Sequence, residues 1–191
     1  RLRTKIVWNA VNLFSKECVN AENRHLKIEN ALELFKTNFA DTPNLLLDLI
    51  EEGLFIKNIK KYYRDEDDKS KKENVEIVYF AYERLGDFLI ANYEVENYAN
   101  IEDLKSAFQK DGKFGKIAND YYYDGRGILE ALSVIIPEKY FLELFELYQW
   151  LFEDFFILDE KDSGHDNHEK YKLRYNCKNI NDLLLDSLKW R

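Results

Sequence analysis

Cysteine, proline, glycine and histidine are all scarce in this chain, methionine is absent, and each shortage excludes something. Cys18 and Cys177, the two cysteines, cannot build a disulfide framework or a four-ligand metal site by themselves. One bridge between them is conceivable, but reduced thiols in a cytoplasmic protein are the expectation. Two prolines and seven glycines suit a mainly helical chain with short connections. No apolar run is long enough to span a bilayer and no secretory apolar region is present, so no membrane partner is expected. Three histidines leave too little to assemble a nucleophilic catalytic set. The chain starts at Arg1 and lacks methionine, which reads as a piece of something longer. Lys plus Arg number 28 against 36 Asp plus Glu, a net charge of −8. That sign opposes a nucleic-acid backbone, whose affinity comes from counterions released by Lys and Arg.

What the chain does have is apolar and aromatic content: 46% hydrophobic and 15% aromatic over 191 residues, enough for a sizeable core. Val7, Val11, Phe14 and Cys18 form one helical stripe, with Ile6, Ala10 and Leu13 beside it, predicting a helix packed on two neighbours. After a polar link from Asn20 to Lys27, a second helix carries Ile28, Ala31, Leu32, Phe35 and Phe39. Asp41-Thr42-Pro43 reads as a capping residue before a first-turn proline. The third helix, Asn44 to Glu52, carries Leu45, Leu46, Leu49 and Ile50, and Gly53 ends it.

Leu54 to Tyr63 and Asn74 to Phe80 read as a strand pair. The charged tract Arg64 to Glu73 between them reads as a solvated hairpin tip. Three helices and a hairpin, in that order, predict a winged helix-turn-helix over roughly residues 1–81, extended by a helix from Glu83. Beyond Glu96 the pattern is helical. Ile101 to Gln109 places Leu104, Ala107 and Phe108 inward, and Lys110 to Gly127 reads as looser. Ile128 to Ile136 is a helix that Pro137 should end while opening the next, with Phe141, Leu144, Phe145 and Tyr148 inward. Trp150 to Leu158 stays apolar, Asp159 to Lys172 reads as a polar loop, and Ile180, Leu183, Leu184 and Leu188 mark a final helix. The fold class expected is therefore mainly α with a small β-hairpin. A winged-helix-like domain with its linking helix would occupy 1–98, and a helical, repeat-like region 99–191, cut off at its C-terminus.

Candidate chemistry is thin. Asp65, Asp67 and Asp68 lack the third ligand and sixth-position glycine of a calcium loop; Lys69 and Ser70 stand there instead. His165, His168 and Cys177, with His25 elsewhere, are zinc-ligand types, but Gly164, Asp166 and Asn167 around the histidines suggest a loop. No metal site and no catalytic residue is expected. Gly112-Lys-Phe-Gly115-Lys116 lacks P-loop spacing and has Ile117 where a magnesium-holding hydroxyl belongs; Gly125-Arg-Gly127 lacks a third glycine. Both read as turns. A DNA-reading third helix needs Arg, Lys, Asn or Gln, yet this one offers Asn44, Asp48, Glu51 and Glu52. Lys57, Lys60, Lys61 and Arg64 follow it, and Lys69, Lys71 and Lys72 lie in the wing, countered by Asp65, Glu66, Asp67, Asp68 and Glu73. Tight duplex binding is not expected.

One stretch speaks more clearly. Phe80, Tyr82, Leu85, Asp87, Phe88, Leu89, Ala91 and Tyr93 lie where a strand runs into an amphipathic helix. Leu85, Phe88 and Leu89 are expected to face inward, with Asp87 on the more polar side. This stretch, and above all Tyr-Glu-Arg-Leu-Gly-Asp-Phe-Leu-Ile-Ala at 82–91, resembles an element of NACHT and related STAND NTPases, the bacterial antiviral members especially. The final Leu-Asp-Ser-Leu-Lys-Trp-Arg resembles a repeat helix of such proteins more weakly. In that family a strand ending in Phe-x-His leads into a helix with Glu-Phe-Leu-x-Ala, closing the winged helix and opening the repeats. Tyr82 replaces the His and Asp87 the Glu, so any nucleotide-sensing role of that His does not carry over. The specific match covers about a tenth of the chain, the element order about half, and the Walker-motif core is absent.

The resemblance implies a non-catalytic regulatory and ligand-sensing segment of a larger ATPase, of the kind that acts in antiphage defence. ATP and magnesium would be held by the parent protein outside these residues. Its partners would be the nucleotide-binding domain of the same chain and a protein ligand on the helical region. The rival reading is a transcription-factor-like winged helix with a helical dimerisation region, and the acidic third helix separates the two.

Overall fold

In a computed structural model, residues 2–63, 72–119, 125–153 and 167–188 are described. The protein is mainly helical with one small three-stranded antiparallel sheet. Two compact units share the chain, Arg1–Tyr93 and Glu94–Arg191.

The first unit begins with α1 (Leu2–Asn20), whose face of Ala10, Val11, Phe14 and Cys18 is buried as its double stripe requires. Ser15 is buried there too, its hydroxyl donating to the Val11 carbonyl at 2.9 Å. The helix stops through paired turns: Asn23 N–H returns to Cys18 O at 2.9 Å and Glu22 N–H to Val19 O at 3.1 Å. Glu22 sits at φ 50°, where glycine is the usual choice, so this stop is strained. α3 (Leu45–Glu51) ends by the same pair of bonds, Leu54 N–H to Leu49 O and Gly53 N–H to Ile50 O. There Gly53 occupies φ 76° without strain, as its expected role demands.

Between them lie β1 (Leu26–Lys27) and α2 (Ile28–Asn38). β1 falls in the link read as polar. Leu26 is buried and pairs with Val78, so the expected hairpin is a three-stranded sheet instead. β2 (Phe55–Tyr63) and β3 (Lys72–Phe80) form the hairpin, with Phe55 opposite Phe80, and the strand order is β1-β3-β2. The tip at 64–71, including Asp65, Asp67 and Asp68, lies outside the described residues. Pro43 is not the first helical residue. It lies in the turn before α3, with Asn44 as the cap position and Leu45 N–H bonded to Thr42 O at 3.0 Å.

Four phenylalanines fill the centre of this unit. Phe14 lies 4.6 Å from Phe55 and 5.2 Å from Phe80 between ring centroids, and Phe35 meets Phe55 edge-on at 6.2 Å. One helix side, one hairpin end and α2 are thereby clamped on a single apolar cluster. Burying each ring contributes about 1.5–3 kcal/mol.

α4 (Glu83–Glu96) starts in the first unit and ends in the second. The second unit continues with α5 (Ile101–Ala107), α6 (Lys113–Asn119), α7 (Arg126–Tyr140), α8 (Leu144–Leu147), a helical stretch at 149–153, and α9 (Asn167–Leu188). α5 is capped by Asn100, whose side chain accepts from Asp103 N–H at 2.9 Å. α6 overturns the turn reading from Lys113 to Lys116, while Gly112 does lie in a turn, its N–H bonded to Gln109 O at 2.8 Å. Gly115 lies in a helix so close to Gln109 that a Cβ would meet its carbonyl oxygen at 1.8 Å, so glycine serves packing here.

Pro137 does not break α7, which runs on to Tyr140. One missing donor near the helix end is tolerated, and the Pro137 carbonyl accepts from Phe141 N–H at 3.2 Å. Phe141 then ends the helix at φ 56° and is 91% exposed, and Phe145 is exposed as well, contrary to the inward reading of both. Leu144 and Tyr148 are buried. The polar loop expected from Asp159 is helical from Asn167 onward, and its part at 159–166 lies outside the described residues. Ile180 and Leu183 of α9 are buried.

The core of this unit is aromatic with polar tips. Phe108 stacks near Phe114 at 4.7 Å and Tyr148 at 5.3 Å. The Tyr148 hydroxyl donates to Phe114 O at 3.1 Å and the Trp150 indole N–H to Phe108 O at 2.8 Å. Burial pushes the Tyr148 phenol well above its ordinary pKa, so it remains a donor. Cys177, also buried, donates its thiol to Leu151 O at 3.3 Å.

Candidate functional site

The stretch singled out in the sequence forms the end of β3 and most of α4. Phe80 is buried among Phe14 and Phe55. Gly86 lies against it; a Cβ there would stand 2.8 Å from the Phe80 ring, which leaves room only for glycine without a shift. That close approach decides which side of α4 faces the core. Gly86, Asp87 and Ala91 are buried, Asp87 and Ala91 at the i, i+4 spacing of one helix face with Gly86 beside them.

Leu85 and Phe88 are therefore not inward. They are 40% and 39% exposed, and Tyr82 is 67% exposed. Leu89 and Tyr93 are half-buried. Asp87, placed on the polar side by sequence reasoning, is 3% exposed and forms an ion pair with Arg24 of the segment before β1. Hydrophobic period alone favours Leu85 and Phe88. The backbone approach at Gly86 and the compensated charge of Asp87 outweigh it.

Further along α4, in the second unit, a second carboxylate is buried. Glu94 faces Lys113 of α6, with Nζ 2.9 Å from Oε2. That oxygen accepts no hydrogen bond of normal geometry, so the ammonium serves as a charge partner rather than an aligned donor. Tyr98, one turn after Glu94, has its pKa pushed up to about 12 by burial first, then by the charge of Glu94 and a hydrogen bond to it. Glu96 pairs with Lys139 of α7 at 2.7 Å. Arg24, Glu94, Tyr98 and Lys113 were all missed as site residues. The sequence carried no clear signal for them, since periodicity puts Asp87 on the polar side of α4.

The remaining candidates are not brought together. Asp48 and Glu51 of α3 and the C-cap residue Glu52 are exposed, and Glu52 pairs with Arg3. Lys57, Lys60 and Lys61 are exposed along β2, Lys57 meeting Glu76 at 2.9 Å. Asn58 Oδ1 accepts from Ile59 N–H at 2.8 Å on the same strand. His25 is half-buried, His165 lies outside the described residues, and His168 is in α9 with a side chain that is not described. Among the described residues, no three His, Cys, Asp or Glu side chains are arranged to hold a metal ion. Cys18 and Cys177 are free and buried. Burial, with a smaller effect from Glu17, pushes the Cys18 thiol from 9.0 up to about 12, which leaves it inert as a nucleophile near neutrality. Among the described residues no helix is long and apolar enough to cross a membrane. No protein-family model, no curated protein and no solved structure matches this chain.

Proposed function

We propose that the chain is a non-catalytic regulatory and ligand-sensing segment of a larger cytoplasmic NTPase of the STAND type. In this reading unit one is a winged helix-turn-helix that rests on a nucleotide-binding domain elsewhere in the parent protein. The second unit is a repeat-like helical region that receives a protein ligand, with ATP and magnesium held by the parent. The observation that carries the proposal is topological. Helix, short strand, two helices and a hairpin follow in order with β1 beside β3, and the strand leads through Tyr82 directly into α4. The acidic, exposed side of α3 supports this reading over a DNA-binding module, since phosphate would meet Asp48 and Glu51 where a reading helix carries cations.

The test separates the two classes. Anisotropy titrations with duplex DNA at physiological salt are expected to show no submicromolar affinity, and phosphate release from ATP no rise above buffer. Tight binding with a steep salt slope, abolished by Lys60→Ala and Lys61→Ala together, would establish the transcription-factor reading instead.

A further inference from the structure

Within the second unit, aromatic rings come to the surface where α7 gives way to α8. Phe141, which closes α7, is 91% exposed, and Phe145 of α8 is 54% exposed. Phe145 is not isolated: its ring lies 5.1 Å from that of half-buried Phe152, centroid to centroid. Phe141 stands four residues before Phe145, within ~14 Å of it even at full extension. The fold gives little reason for a ring at 141. At φ 56° the backbone holds a left-handed conformation that glycine adopts freely and a bulky side chain resists. A side chain this exposed recovers almost none of that cost by burial.

Charge on the same stretch selects among occupants. Glu138, Glu143, Glu146 and Glu153 are exposed, while Lys139, the one cation between 138 and 153, pairs with Glu96 at 2.7 Å. A second copy would bring the same carboxylates to a chain of net charge −8, and nucleic acid or an anionic lipid surface would be repelled likewise. Rings beside carboxylates fit an apolar stripe bordered by cations. We propose that Phe141, Phe145 and Phe152 form a docking surface for an amphipathic helix of another protein, one whose apolar stripe is flanked by Lys and Arg. The rings take the stripe, and the carboxylates fix orientation and speed encounter more than they add affinity. This gives a place and a chemistry to the protein ligand of the reading above without resting on it, because the DNA and ATP tests do not touch these rings.

The test uses the whole chain and two labelled peptides of about 18 residues, ~5 helical turns, with one leucine stripe flanked by lysine in the first and glutamate in the second. The Leu/Lys peptide is expected to bind at physiological salt, and the Leu/Glu peptide at least about tenfold more weakly. Phe141→Ser with Phe145→Ser should weaken Leu/Lys binding about tenfold or more, as loss of aromatic anchors does. Glu138→Gln with Glu153→Gln should weaken it less, by an amount that fades as salt is raised. Phe141→Gly should lose affinity without lowering the denaturant midpoint, since glycine relieves the left-handed backbone. A fall in that midpoint would make the ring structural and overturn the proposal. No Leu/Lys binding, equal binding of both peptides, or Leu/Lys binding indifferent to the serine variants would overturn it too. Self-association in sedimentation that the serine variants abolish would assign the surface to a second copy instead.

Discussion

The two units solve the same packing problem with different aromatic chemistry. The first buries Phe14, Phe35, Phe55 and Phe80, rings without a polar atom, held by shape alone. The second buries Tyr148 and half-buries Trp150, and spends their polar tips on the carbonyls of Phe114 and Phe108. A ring cluster without polar atoms tolerates small shifts as long as volume is conserved. A ring tied to a carbonyl has one position, because a small shift leaves a buried polar atom without its partner. The phenylalanine core thus gains mostly from area, and the tyrosine–tryptophan core trades some of that for fixed geometry.

Substitutions break this comparison in graded steps. Phe14→Ala should have the largest effect. It empties the centre of the first cluster and should cost about 3–5 kcal/mol, read as a large drop in the denaturant midpoint. Tyr148→Phe comes next. It keeps the ring and removes only the hydroxyl and its hydrogen bond to Phe114 O, a carbonyl that also belongs to the α6 ladder; about 0.5–1.5 kcal/mol is expected, without the loss of volume that Phe14→Ala brings. A Tyr148→Phe variant as stable as the parent protein would mean that the second core, too, is held by area alone. Phe88→Ala should have the smallest effect, below about 1 kcal/mol, since that ring is 39% exposed. A shift as large as that of Phe14→Ala would place Phe88 back in a core.

These expectations reverse the reading of α4 that periodicity suggests, and the reason is instructive. Along α1 and α7 the period alone finds the buried side, because nothing competes with apolar burial there: Phe14 and Leu132 are where their spacing puts them. The strand pair was legible from its β-branched and aromatic residues, Phe55 and Phe80 at its ends among them. In α4 a paired carboxylate and a glycine contact turn the helix, and neither leaves a hydrophobic trace in the sequence. β1 was invisible because two residues have no period, and its cue, Leu26 in a polar link, is a single apolar side chain. Gly112 and Gly115 suggested turns by composition, yet Gly115 answers a close approach by Gln109 inside a helix. Pro137 suggested a stop, but so near the end of α7 the lost hydrogen bond does not decide. Arg24 could not be linked to Asp87 by spacing at all, since 63 residues separate them. The candidate site was therefore legible in its location and not in its orientation.

The open side of β2 has a consequence for the behaviour of the protein in concentrated solution. Sheet order leaves this nine-residue strand without a neighbour on one side among the described residues, a template on which other chains could stack. Ile56 and Ile59 lie exposed on it and would favour such stacking. Lys57, Lys60 and Lys61 bring like charge to every copy, and Asn58 occupies the Ile59 amide that an incoming strand would need. The strand therefore carries its own defence against amyloid-like growth, at the residues where its shape would otherwise invite it.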